Sequence, residues 1–126
     1  MDENQIGTIV IKAVIEVHRE LGPGLLESIY DAALAYELNE RGLRVDRQVP
    51  LLVRYKGLEF DKGFRADSVV ENLVVLELNS AEEINNSFRK QIQTFLKLSD
   101  RKLGDFLNFG EALMKDGIVR AVTHLV

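Results

Sequence analysis

Two carboxylates stand out for their surroundings: Asp67 in the segment FRADSVV and Glu77 in the segment VVLELNS. A strand apolar on both faces has little use for a carboxylate unless that group is paired, hydrogen-bonded or bound to a metal. Ten positions and a Glu71-Asn72 turn separate the two. Adjacent strands joined in this way can bring both carboxylates to one end or one face of a sheet. At an effective dielectric near 20, such charges about 5 Å apart repel by roughly 3 kcal/mol, so something cationic has to hold them together. Mg²⁺ fits, because it takes hard oxygen ligands from one or two carboxylates and keeps waters for a substrate phosphate. Ordinary salt bridges with Arg65 or Lys62 are the alternative that spacing alone leaves open.

The elements that position these groups follow from apolar periodicity. Ile6, Ile9, Val10, Ala13, Val14, Val17 and Leu21 recur at helical steps, and the helix should stop at Gly22-Pro23-Gly24. Leu26, Ile29, Tyr30, Ala33, Leu34 and Leu38 mark a second helix closed by Gly42. From Val45 to Tyr55 the apolar residues alternate on one side of a strand, and Lys56-Gly57 turns the chain. A second strand is expected from about Phe64 to Val70, and Leu73 to Leu78 reads as a central strand. Asn85 to Ser87 offer caps for a third helix with the stripe Phe88, Ile92, Phe95 and Leu96, and Leu103 to Phe109 and Ile118 to Val126 read as two further strands. The predicted order is ααβββαββ, in a single domain spanning 1–126.

Composition narrows the chemistry. The chain has no cysteine and two distant histidines, which excludes disulfides and thiolate sites and disfavours a histidine zinc site. Any metal must then be held by oxygen. A net charge of −4 argues against non-specific coating of nucleic acid. No run of about 18 apolar residues occurs, and the acidic start MDENQ is unlike a signal peptide; the expectation is a cytoplasmic protein with no membrane partner.

The stretch HRELGPGLLESIYDAAL, from His18 to Leu34, carries Gly24-Leu25-Leu26-Glu27-Ser28-Ile29-Tyr30 and closely resembles the signature of the GxxExxY family. The likeness continues through ELNERGLRVDRQVPLLVRYKG, GFRADSVVEN, VVLELNS, QIQTFLKL and LNFG, covering about Ile6 to Val122. That family is classed with the PD-(D/E)XK nucleases, so the resemblance implies an α/β fold with an αβββαβ core, a mixed sheet flanked by helices, and Mg²⁺-dependent (or Mn²⁺-dependent) hydrolysis of nucleic-acid phosphodiesters. It implies Asp67, Glu77 and the Leu78 carbonyl as metal ligands, Glu27 as the acidic residue of the leading helix, and Gln91 as a substrate-positioning residue. Arg65 and Lys90 are the candidate substrate contacts. Read from the residues alone, Glu27 is equally a first-turn helix carboxylate and Gln91 equally a packing residue, while Tyr30 reads as a core residue with a bonded hydroxyl and His18 as a surface or capping residue.

The chain departs from the family pattern where chemistry is concentrated. The motif expects Glu-x-Lys and here reads Glu77-Leu78-Asn79; Phe95 stands where the helix motif usually has tyrosine, and Phe88 where many relatives have histidine. An asparagine can donate hydrogen bonds but carries no charge and accepts no proton near neutral pH. Loss of one transition-state donor costs on the order of 10²- to 10³-fold. Three readings follow: a weakened or inactive Mg²⁺ nuclease whose missing cation could come from Lys90, a non-catalytic nucleic-acid-binding or regulatory module, and a homo-oligomeric structural domain.

Overall fold

The computed structural model describes residues 1–80 and 86–123, with side chains given outside 61–64 and 86–89. The element order is α1 (Glu3–Leu21), α2 (Glu27–Glu40), β1 (Val45–Tyr55), β2 (Leu58–Val70), β3 (Val74–Asn79), α3 (Asn86–Ser99), β4 (Leu103–Asn108), a short 3₁₀ turn (Met114–Gly117) and β5 (Ile118–Val122). The strands form one sheet in the order β1-β2-β3-β4-β5. All neighbours are antiparallel except β3 and β4, which run parallel and are joined through α3. This is the α/β arrangement, ααβββαββ, anticipated from periodicity. Among the described residues, no helix is long and apolar enough to cross a membrane.

Helices cover the sheet on both sides because its strands are apolar on both sides. Val10, Val14, Val17 of α1 and Tyr30, Leu34, Leu38 of α2 pack with Val74, Leu76, Leu78, Leu103 and Leu107. On the opposite side Ile92, Phe95 and Leu96 of α3 pack with Leu51, Ala66, Val69, Val75 and Ala121. Along β3 the alternation is complete: Val74, Leu76 and Leu78 face α1 and α2, and Val75 faces α3. Glu77 and Asn79 therefore lie on the α3 side.

Differences from the expected elements have physical causes. β2 starts at Leu58, not near Phe64, because Lys56 (φ 46°) and Gly57 (φ 87°) form a two-residue turn with both central residues left-handed, which suits the twist of a hairpin. Only the last residues of β2 pair with β3, from Ser68↔Leu76 to Val70↔Val74, so the outer part of the hairpin extends past the sheet. The alternation on β1 also breaks. Arg47 faces α2 and Val49 packs beside Leu51 under α3, although they are two residues apart. The switch falls at Gln48, whose φ of 54° is left-handed. His18, expected at the surface, is buried: its Nε2 lies 2.8 Å from the Glu111 carbonyl, and its ring stacks on Phe109. A short polar link to a loop carbonyl is how an imidazole avoids the cost of burial without a partner. The caps expected at Asn85 and the side chain of Phe88 lie outside the described residues, as do 124–126 of the last strand.

Candidate active site

The β2–β3 turn accounts for the spacing of the two carboxylates. Glu71 and Asn72 both take left-handed φ, and the Leu73 N–H returns to the Val70 carbonyl at 2.9 Å. Counting outward through the register, the pair after Ser68↔Leu76 is Asp67 and Glu77. Regular pairing stops there and side chains take over: the Leu78 N–H donates to Asp67 Oδ2 at 2.7 Å, and the Asp67 N–H lies 3.4 Å from Glu77 Oε1. Each carboxylate thus leans on the other strand's backbone. Across Asp67 on its other side, between Arg47↔Ser68 and Val49↔Ala66, stands the left-handed Gln48.

Glu77 is largely buried, and burial followed by the nearby Asp67 charge raises its pKa from 4.5 to about 9. The Asp67 N–H pulls the other way and Glu27 adds a further unfavourable charge. Glu27 is itself raised, first by burial and then by Asp67. Three acidic groups therefore feel one another. Among the described residues none of them has a salt bridge, and Arg65 is exposed with no polar partner. The Arg65 pairing that spacing left open is not formed; Lys62 lies outside the described side chains.

Glu27 reaches this place from α2, of which it is the first residue, and the turn before it is fixed from two sides. Gly22 (φ 72°, ψ 178°) occupies backbone space essentially open only to glycine. The buried Tyr30 hydroxyl donates to the Gly22 carbonyl at 2.5 Å and accepts from the Leu25 N–H at 3.1 Å, while its ring stacks on Phe109 with centroids 4.5 Å apart. Ser80, at the end of β3, donates its hydroxyl to the Leu25 carbonyl at 2.8 Å. The glutamate and the tyrosine of the signature act together: Tyr30 clamps the turn from Gly22 to Leu25, which contains the signature glycine Gly24 (φ 100°), and the turn leads into Glu27 at the start of α2. We expect Tyr30→Phe to lower stability by about 1 to 2 kcal/mol through the two lost partners. It should also shrink any metal-induced stabilisation; urea denaturation with and without Mg²⁺ measures both.

Asp31, one turn after Glu27, was not singled out from the sequence and is the second anchor of α2. Its Oδ2 accepts from Arg47 Nε and Nη2 at 3.0 and 2.7 Å, and Ser68 Oγ lies 3.3 Å from its Oδ1. Helix, β1 and β2 are thereby tied one residue from Asp67. The i, i+4 spacing of Glu27 and Asp31 on one helix face was the available signal.

Asn79 shares the face of Glu77, but its Oδ1 is turned back to accept the Ser80 N–H at 2.7 Å. Gln91 and Lys90 on α3 are exposed, with no polar partner among the described residues; neither is hydrogen-bonded to the carboxylates. Asn108, the register partner of Asn79 on β4, is fully buried, and its Nδ2 has no hydrogen-bond partner among the described residues. On the other side of the sheet, the buried Asp105 is held by a two-pronged contact from Arg120, at 2.8 and 2.9 Å, that also reaches the Gly7 carbonyl. That pair docks α1 and lies away from Glu77.

Could the site take a divalent ion? Among the described residues no three His, Asp or Glu side chains converge into a ready cage, so any ion would need backbone and water oxygens as well. The backbone supplies one. Asn79 directs its carbonyl to β4, where it accepts the Phe109 N–H at 2.9 Å. Leu78, alternating, turns its N–H and carbonyl toward β2 and Asp67, beyond the last paired residues. Two carboxylates with no cationic partner among the described residues and a free-edge carbonyl are the donor set that Mg²⁺ accepts.

The class defined by this fold and this pair of carboxylates is a nuclease-type α/β protein. A sequence profile of the PD-(D/E)XK nuclease superfamily matches residues 4–121, and the chain belongs to that superfamily. Its nucleases generally use divalent metal ions. No curated protein and no solved structure matches the chain.

Proposed function

We propose that this is a Mg²⁺-dependent (or Mn²⁺-dependent) phosphodiester-binding domain of the GxxExxY type, with nuclease chemistry weakened by asparagine at position 79. The observation that carries the reading is the pairing of Asp67 with a Glu77 whose pKa is raised to about 9 and which has no salt bridge among the described residues. Asp67, Glu77 and the Leu78 carbonyl would hold the ion. Once bound, it would polarise a phosphoryl oxygen and acidify a water. The chain's own part is as follows. Glu77 gives up its proton on loading, since a carboxylate ligand must be ionised. Glu27, held by the Tyr30 clamp, accepts hydrogen bonds from water at the rim of the site. Arg65, Lys90 and Gln91 are free to meet substrate from β2 and α3. Asn79 Nδ2 can donate a neutral hydrogen bond where relatives place a lysine.

Mass action requires a ligand that binds only the native state to stabilise it. Millimolar Mg²⁺ or Mn²⁺ should therefore raise the melting temperature of the wild type, and Asp67→Ala should abolish the rise. A wild-type transition that ignores both ions in scanning calorimetry would defeat the proposal. The non-catalytic module remains the second reading, favoured by the neutral Asn79; a domain that binds metal and oligonucleotide yet turns over nothing would decide for it.

A further inference from the structure

We propose that the outer part of the β1–β2 hairpin is an arm that holds an unpaired nucleic-acid strand by stacking bases on Tyr55 and Phe60. This rests on reading Asp67 and Glu77 as a phosphodiester site and adds the form of nucleic acid it would receive. Beyond the last residues paired with β3, the hairpin is a two-stranded ribbon, and its outer register places Val53 opposite Phe60 and Tyr55 opposite Leu58 on one face. Tyr55, Leu58 and Phe60 are 59%, 58% and 48% exposed. Scattered exposed apolar side chains need no explanation; a contiguous aromatic face on a projecting ribbon does.

Its direction ties it to the site. Leu51 packs under α3; the pairing with β2 shifts between Leu51 and Val53, but β1 has no left-handed residue between Gln48 and Lys56, so Val53 and Tyr55 alternate onto the face of Leu51. That is the side on which β3 presents Glu77 and Asn79. A strand lying on the ribbon face would run along the α3 side of the sheet toward the carboxylates.

Charge favours a polyanion. Residues 51–66 contain Arg54, Lys56, Lys62 and Arg65 against Glu59 and Asp61, a net +2 in a chain of net −4; Arg54 and Glu59 pair with each other at 3.4 Å on the opposite face, so the excess comes from the other cations. Lys56 Nζ sits 5.4 Å from the Tyr55 ring centroid, which places an ammonium beside an aromatic face. Exposed aromatics interleaved with cations are what single-strand binding requires, since every base has a face to stack and every nucleotide a phosphate to neutralise. A second copy is a poorer occupant: two arms meeting across a two-fold axis would set like charges against each other.

The test uses the full chain in EDTA and low salt, with a fluorescein-labelled oligothymidylate of about 15 nucleotides, within the site sizes of stacking-type binders. Tyr55→Ala combined with Phe60→Ala should weaken binding about 10- to 100-fold, with the melting temperature and its Mg²⁺ response unchanged. Tyr55→Trp should keep the affinity, and as the chain has no other tryptophan its emission should be quenched on binding. Oligonucleotide affinity is read in EDTA and the metal site by the Mg²⁺ shift of the wild-type melting temperature, so failure of the metal site and failure of the arm are separable. Unchanged affinity in the double alanine variant overturns the proposal, as does an equal loss on a duplex of the same length. A wild-type dimer by light scattering that the double variant dissociates also overturns it, assigning the face to self-association.

Discussion

Glu77→Gln should make the metal-free protein more stable at pH 8 and leave it nearly unchanged at pH 4.5. The wild-type carboxyl has a folded pKa of about 9 against 4.5 for a glutamate in water. The folded state therefore binds this proton more tightly than the unfolded chain. Below pH 4.5 both states carry it and nothing is lost. As pH rises from 4.5 toward 9 the unfolded chain is free to ionise while the folded state is not, and stability falls steadily, by on the order of 3 kcal/mol at pH 7. Glutamine keeps the shape and the acceptor oxygen facing the Asp67 N–H but never ionises. The expected difference in melting temperature at pH 8 is about 15 °C, read by circular dichroism in EDTA. Mg²⁺ should raise the wild type and not the variant, with an apparent affinity that climbs through this same pH window because each loading event releases a proton. A wild type whose metal-free stability is flat from pH 5 to pH 8 would show that Glu77 is not held in the strained state described above.

The stability that Glu77 forfeits explains what could be read from the sequence and what could not. Helices α1 and α2 and strand β3 were legible because their apolar residues recur at 3.6 or fill both faces, and the cores under them form as the pattern requires. Asp67 and Glu77 were legible because they violate that pattern, and because a tight turn between them makes ten positions a cross-strand distance. The start of β2 was not, since Lys56-Gly57 marks a turn but the exposed ribbon beyond it lacks a buried face to set a period. The face switch at Gln48 was hidden for a similar reason: a left-handed glutamine carries no compositional signal, unlike a left-handed glycine. Tyr30 reads as a core residue with a bonded hydroxyl and is one, but its partners, Gly22 and Leu25, come from the turn that leads into the motif. Asp31 was missed because its partners, Arg47 and Ser68, are brought together only by the sheet. His18 was misplaced because its acceptor, the Glu111 carbonyl, is 93 positions away.

Asn79→Lys should raise phosphodiester cleavage by about two orders of magnitude, the size of effect assigned to one lost transition-state donor. Position 79 lies two residues from Glu77 on the same face of β3, so the new ammonium would emerge beside the carboxylates, where charge develops on the phosphorus oxygens. The substitution has a local cost, because Asn79 Oδ1 now holds the Ser80 N–H and Ser80 in turn holds the Leu25 carbonyl. Losing the first of these contacts should cost about 1 kcal/mol, small enough for the variant to fold. The introduced cation also offsets the charge crowding around Glu77, so its pKa should fall and metal should bind at lower pH than in the wild type. Cleavage of a labelled oligonucleotide in Mn²⁺ is the readout, with Asn79→Lys combined with Asp67→Ala as the control that must be silent. A folded, metal-binding lysine variant with no more activity than the wild type would mean that asparagine at this position is not what limits turnover. The Tyr30 clamp on the turn before Glu27 and the half-buried pair Asp67 and Glu77 would then belong to a domain that binds phosphodiesters without cutting them.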